Sequence, residues 1–451
     1  MAKRTLKGRP ARVRKGGART GSIRDYVFNE PLFDGHEHLE AVPEFARQKQ
    51  TYASICGYAV ADLYAARGAV VPADEGYPPL EAPKNRAAYF AAWRKARNTG
   101  YCRPIQKACR DLLGLDYTEE NADAIGEKLS ALVSPDPEAF YRDVLQKAGI
   151  RWAIKDNICT PDGVAQGNYP KDLIRVNYRD EDLLEVRRRE TILERERRWN
   201  FSIHSLDDLA EGLRRSMSAC FATGWVTAIK IGQAYRRKLD FGCPSKGEAE
   251  RAFNRLMMPG SGRPEGSLSV PQPSDAELRP LHDWLVHLFI RHATDEDKVV
   301  QVHTGYLAGT YNDLRNINPL DLVPLLLTYR TTRFDLFHAG WPYHDILGTM
   351  GKHYPNAWIS LAWGWAMNPI TMERALDAWL DGVPMNKVIG FGGDTRHPVC
   401  AYGYALQARE GIARVLQARI ERGAMDESLA REAARAILLT NGCELHHLPV
   451  E

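Results

Sequence analysis

From about residue 220 onward the chain repeats one rhythm: a short β-branched or apolar run ending in a polar residue, then a stretch with helical spacing. The runs are 225–231 (WVTAIKI), 299–303 (VVQVH), 334–338 (FDLFH), 357–362 (AWISLA) and 387–391 (KVIGF). Three shorter runs precede them, 32–36 (LFDGH), 150–155 (IRWAIK) and 173–178 (LIRVNY), which brings the count to eight. Eight apolar strands alternating with helical patterns such as 206–221 and 279–293 predict a closed parallel (β/α)8 barrel, an α/β fold. An open doubly wound sheet is the alternative.

The spacing is uneven. More than a hundred residues separate the first two runs, and most of them carry helical patterns: 58–66, 86–98, 104–113, 122–133 and 137–148. Residues 39–147 are therefore expected to be a helical insertion into a barrel domain spanning 25–451. After the first strand such an insertion lies over the carboxyl ends of the strands, as a lid or as a contact between subunits of a homo-oligomer. Residues 243–272, rich in Gly, Pro and Ser, are expected to form a long loop. A final amphipathic helix is expected over 426–440, stopped by Asn441-Gly442.

Composition narrows the class. The chain is 44% hydrophobic and 26% charged, as soluble globular proteins are, and no run approaches the roughly 18 apolar residues of a membrane span. The net charge of +3 conceals an asymmetry, because residues 1–24 hold nine Lys or Arg and no acid, so the remainder is mildly acidic. That basic segment is expected to be an unstructured tail; a nucleic-acid role for it is weighed and set aside in favour of a solvated appendage. It has no apolar segment behind it and no adjacent arginines, so the expected location is the cytoplasm. The eight cysteines include no Cys-x-x-Cys pair, which argues against a zinc ribbon and a disulfide scaffold.

Candidate chemistry begins at Asp34-Gly-His36-Glu-His38, where an extended backbone aims both imidazoles to one side. A pair of hydrogen-bonded surface histidines would read the same way. The motif gains weight because other runs also end in ligand-type residues, Lys230, His303, His338 and Asp394. In a barrel all strand ends face one mouth, so His36, His38, His303 and Asp394 can close around one divalent ion. Three imidazoles and a carboxylate suit zinc or manganese better than magnesium or calcium.

Taken with Phe33-Asp-Gly-His-Glu-His38, the segments Ile229-Lys-Ile-Gly-Gln-Ala-Tyr-Arg236, Val302-His-Thr-Gly305, Leu336-Phe-His-Ala-Gly-Trp-Pro-Tyr343 and Gly390-Phe-Gly-Gly-Asp-Thr395 give the chain a resemblance to the amidohydrolase superfamily. The pattern is similar to its branch with the uronate isomerases, the metal-dependent decarboxylases and the amidohydrolase domains found with glutamine-synthetase-like proteins. It runs from Leu32 to Leu448. The resemblance implies that His36, His38, His303 and Asp394 hold the metal and that Asp394 is also the general base, taking a proton from the activated water and returning it to the leaving group. In binuclear relatives the lysine at the place of Lys230 is carbamylated and bridges two ions, with His338 holding the second. Here a single ion is the expectation, with Lys230 and His338 as catalytic pocket residues.

Arg236, Arg315 and Arg396 lie near predicted strand ends, and guanidinium groups bind carboxylates in bidentate fashion. With Tyr235, His397 and Trp363 they form the candidate substrate-binding set, for a small anionic substrate. Each of these arginines alone reads more often as a surface ion pair, and Trp363 more often as core packing. The expected reaction is hydrolysis of an amide, ester or lactone. The alternatives are uronate isomerisation, with Tyr235 or His397 as a second acid or base, decarboxylation of an aromatic acid, and a catalytically silent binding module.

Overall fold

The structure, a computed structural model, describes residues 21–68, 83–156, 169–258 and 272–451. All eight expected runs are strands: β1 (Leu32–Glu37), β2 (Ile150–Lys155), β3 (Ile174–Tyr178), β4 (Val226–Ile231), β5 (Val299–Val302), β6 (Phe334–Leu336), β7 (Ala357–Ser360) and β8 (Val388–Ile389). They pair in parallel in chain order. Beyond β8 the chain turns back onto β1. Gly35 N donates to Phe391 O at 3.0 Å, Asp394 N to His36 O at 2.8 Å and His38 N to Thr395 O at 3.0 Å. These bonds close the sheet into a barrel and exclude the open alternative.

Every residue of β1, β4, β5, β6 and β8 is buried, as expected of strands with side chains on one face inside the barrel and helices over the other. Part of the interior is polar. Asn177 Nδ2 donates to Gln301 Oε1 at 3.1 Å, and Gln301 Nε2 to Gly35 O at 3.1 Å and Asp335 Oδ2 at 3.4 Å. Below this layer, Phe33, Trp152, Ile154, Val299 and Ile389 of the strands pack with Leu439, Cys443 and Leu445. The C-terminal segment thus plugs the bottom of the barrel.

That plug corrects one expectation. Asn441-Gly442 does not stop the last helix: Glu427–Arg435 runs through a π turn, Ala436–Thr440, into Asn441–Leu445. Tertiary contacts override the local signal. The Asn441 amide donates to Met385 O at 2.7 Å and Val388 O at 2.8 Å, and a Cβ on Gly442 would overlap the Phe33 ring. A second correction falls in the expected loop 243–272, where Ser245 and Glu248 form a capping box that starts a helix, Lys246–Met257. Residues 259–271 of that loop lie outside the described residues.

Between β1 and β2 the described chain is helical: Val42–Arg47, Val60–Arg67, Arg86–Ala96, Cys102–Ala108, Ala122–Val133 and Pro137–Lys147. It is tied to the helix after β8, Pro398–Glu421. Gly403 of that helix meets the Pro104 carbonyl, and Gln407 Nε2 donates to Gly100 O at 3.0 Å. At the amino end, residues 1–20 lie outside the described residues, and a Ser22–Asp25 capping box begins the helix Ile23–Asn29 inside the expected tail. No two of the described cysteines are joined in a disulfide, and Cys159 lies outside the described residues.

Candidate active site

The carboxyl ends of the strands converge on a group of buried histidines and carboxylates. His36 and His38 leave β1 two residues apart, with ring centroids 4.9 Å from each other. Asp394 meets them from the turn after β8: its Oδ1 lies 3.7 Å from His36 Nε2 and 3.3 Å from His38 Nε2, and its Oδ2 3.9 Å from His338 Nε2. Asp394 has φ +48°, a left-handed conformation that non-glycine residues adopt only when held. The holding groups come from β1. Asp34 Oδ1 accepts from Gly393 N at 3.1 Å and Glu37 Oε2 from Thr395 N at 2.8 Å. His338, Ala339 and Trp363, at the ends of β6 and β7, share that conformation, with φ of +64°, +53° and +60°. Strain of this kind concentrates at functional sites.

His303 and His338 carry the most informative contact. His303 Nε2 lies 2.9 Å from Tyr306 O, and His338 Nδ1 3.1 Å from Ala362 O. A carbonyl only accepts, so each of these nitrogens bears the ring proton. His303 Nδ1 and His338 Nε2 are then both lone pairs, and they face each other at 3.0 Å. Burial, then Lys230 for His303, and for His338 its partner His303 and Lys230, push both imidazoles well below the usual histidine range, toward the neutral form. A ring N–H on a backbone carbonyl is the arrangement of metal-ligating histidines, with the opposite nitrogen turned to the ion.

A second carboxylate, Asp156, follows β2. Its Oδ2 lies 3.9 Å from His36 Nε2, His38 Nε2 and Lys230 Nζ, and accepts from Arg179 Nη1 at 2.9 Å. Burial alone would raise this carboxyl, but Arg179, His38 and Lys230 hold it at about 2. Lys230 is buried with no hydrogen-bond partner among the described residues; its Nζ sits 4.0 Å from the Phe337 ring centroid, and burial lowers it to about 8. His36 Nδ1, Asp156 Oδ1 and Asp394 Oδ1 are likewise buried without a hydrogen-bond partner among the described residues. Two groups, His36–His338–Asp394 and His36–His38–Asp156, each gather their ligand atoms within 4.8 Å. This mixed nitrogen and oxygen set fits a divalent metal ion.

The remaining candidates divide. Trp363 is buried, its ring 5.2 Å from His338 and 5.7 Å from Tyr58, with an indole N–H that has no partner among the described residues. The Tyr235 ring lies 4.8 Å from His303, and its hydroxyl accepts from Ala308 N at 3.1 Å. Arg236 is half exposed, 3.3 Å from Glu185. Arg396 is exposed and lies near Tyr58. Arg315 is not brought into the group: its side chain is 85% exposed and engaged by Asp313. His397 is buried with both nitrogens used inside the protein. Nδ1 accepts from Val399 N at 3.1 Å, so Nε2 donates to Gln50 Oε1 at 3.2 Å. Trp365 is also structural, its indole N–H donating to Gly390 O at 2.8 Å.

Sequence reasoning passed over Asp156, Arg179 and Tyr58. Asp156 and Arg179 each stand one residue beyond a predicted strand, so the strand-end rule that found His303 and His338 reaches them as well. Tyr58 carries no comparable signal, because the helical segment between β1 and β2 brings it beside His38, ring centroids 6.3 Å apart.

No protein-family model matches the chain. Over 256 residues, 54% of the chain, it is 26% identical to the protein fluG of Emericella nidulans, of whose length it spans 29%. In three dimensions it is similar to a uronate isomerase from Thermotoga maritima, with a TM-score of 0.77 over 94% of this chain and 96% of that one at 15% identity. A glucuronate isomerase from Caulobacter crescentus gives 0.74 over 94% and 93%, at 18% identity. A proposed metal-dependent hydrolase from Lactobacillus casei gives 0.64 over 94% and 97%, at 16% identity. The fold of these neighbours is the fold of this chain.

Proposed function

We propose that the chain is a metal-dependent hydrolase that cleaves an amide, ester or lactone bond in a small carboxylate-bearing substrate. The observation that carries this reading is the pair of facing lone pairs, His303 Nδ1 and His338 Nε2, set beside the Asp394 carboxylate. Two buried lone pairs at 3.0 Å repel unless a cation lies between or beside them. His36, His38, Asp394 and the His303–His338 pair would hold one zinc or manganese ion, with Asp156 at its edge. Bound there, the ion supplies Lewis acidity, which acidifies water and polarises a carbonyl oxygen.

The protein's own groups do the rest. The two carboxylates differ in basicity: the Arg179 guanidinium bonded to Asp156 helps to hold it at about 2, whereas burial raises Asp394 to about 7. Asp394 is therefore the general base, taking the proton of the attacking water on a carboxylate oxygen and delivering it to the departing nitrogen or oxygen. Lys230 lines the pocket beside the reacting carbonyl. Arg236 and Arg396 provide guanidinium groups for a substrate carboxylate, and Trp363 forms a wall.

A second reading, isomerisation of a uronate, is favoured by the likeness in fold to the two isomerases, which extends over 94% of the chain. It needs a second proton-transfer group, and the Tyr235 hydroxyl would serve. Metal-loaded protein assayed against N-acyl amino acids, lactones, uronates and hydroxybenzoates separates the readings. Turnover of an acyl substrate, lost in Asp394→Asn, supports hydrolysis. Turnover of a uronate alone replaces it with the isomerase, and of a hydroxybenzoate alone with a decarboxylase.

A further inference from the structure

Arg179, the first residue after β3, connects Asp156 to a carboxylate for which the fold makes room. Its Nη1 donates to Asp156 Oδ2 at 2.9 Å and its Nη2 to Glu181 Oε2 at 2.6 Å. Glu181 lies directly on Gly232, the first residue after β4. A Cβ at position 232 would overlap Glu181 Oε1 and stand 3.0 Å from Arg179 Nη2. The backbone there has φ −117°, open to any L-residue, so it is the space above Gly232 that requires glycine.

We infer that Arg179, braced by Glu181 in the Gly232 cradle, is the positioning residue that fixes Asp156 at the metal centre. The inference rests on the metal-dependent reading above. A guanidinium can hold two carboxylates at once in fixed geometry, which a lysine ammonium on a flexible stem cannot. With Oδ2 held, Asp156 keeps its second oxygen, buried and without a partner among the described residues, in a set orientation. The sign of the effect is diagnostic. If Arg179 acted only through its positive charge it would oppose a bound cation, and weakening its hold would leave metal affinity unchanged or raise it. A positioning role predicts the reverse, since losing a group that orients a ligand lowers metal affinity about 10- to 100-fold.

The test uses Co2+ alone as the probe, in wild type, Arg179→Lys, Gly232→Ala, Glu181→Ala and the Gly232→Ala/Glu181→Ala double variant. Competition titrations and the visible absorption of bound Co2+ report affinity and coordination, and urea unfolding of each metal-free protein reports folding. Arg179→Lys and Gly232→Ala alter no formal charge, yet both are expected to weaken Co2+ at least tenfold and to change its spectrum. The double variant should bind no more weakly than Glu181→Ala, because the added methyl then has nothing to displace. Should Gly232→Ala fail to fold, Arg179→Lys decides. Wild-type affinity and spectrum in both charge-neutral variants, or tighter binding, would overturn the role of Arg179 while leaving the metal centre intact. A wild type that takes up no Co2+ would overturn the metal centre and this inference together.

Discussion

His303 Nδ1 and His338 Nε2 stand 3.0 Å apart as two buried lone pairs, their opposite nitrogens committed to the carbonyls of Tyr306 and Ala362. The pairing is unfavourable in the metal-free protein and favourable around a cation. Added zinc or manganese is therefore expected to raise the melting temperature of the wild type, by a stabilisation of about 2.7 kcal/mol at a hundredfold excess over Kd. His338→Ala should lose most of that gain while costing the metal-free protein little, because the repulsion goes with the ring. Thermal unfolding with and without metal measures both.

His397 and His446 make the fold acid-sensitive. Both are buried, and burial lowers each to about 3. In the unfolded chain they bind a proton near pH 6.5. Between pH 6.5 and 3 the unfolded state thus holds more protons than the native one, and stability falls as pH falls. Each histidine should contribute a slope of about 1.4 kcal/mol per pH unit. His397→Gln and His446→Gln are each expected to flatten the acid limb by that amount in urea titrations at pH 6, 5 and 4.

Asp335 predicts the opposite dependence. It lies in the polar layer inside the barrel, and burial raises its carboxyl to about 7, against the Gln301 hydrogen bond and Lys230. The native state retains this proton where the unfolded state has lost it, so stability falls as pH rises from about 4 to 7. Asp335→Asn does not titrate. Its stability relative to wild type should rise across that window by about 4 kcal/mol, as read from denaturant midpoints.

Gly442 sits where the C-terminal plug meets Phe33, and a Cβ there would overlap the ring. Gly442→Ala should cost about 1–3 kcal/mol, the usual penalty of overpacking a core, although alanine is the better helix former. Unchanged urea stability would contradict the packing described for the barrel floor.

Much of this architecture was legible because the strands of a parallel barrel are buried on both faces and appear as unbroken apolar runs. The ends were less legible. The runs through His303 and His338 continue past the strands, since the ladder stops at Val302 and Leu336 where the chain turns to present its histidines. Asn441-Gly442 carries a helix-stop signal that contacts to Met385, Val388 and Phe33 override, and those contacts join positions far apart in sequence. In the site, His36, His38, His303, His338 and Asp394 were marked by residue type at strand ends. Gln50 and Tyr58 were not, because they reach the barrel mouth through the helical segment between β1 and β2, whose path no local pattern encodes. The same applies to His397, whose chemistry invites a functional role until Gln50 and Val399 are seen to occupy both nitrogens.

In the proposed function the ends of β1, β5, β6 and β8 form one divalent metal centre with Asp394 in it. Elemental analysis of protein dialysed against zinc or manganese and then freed of loose ions tests it directly. One ion per chain is expected in the wild type and almost none in a His36→Ala/Asp394→Ala variant that remains folded. A wild type without bound metal, or a variant that keeps its ion, would contradict it.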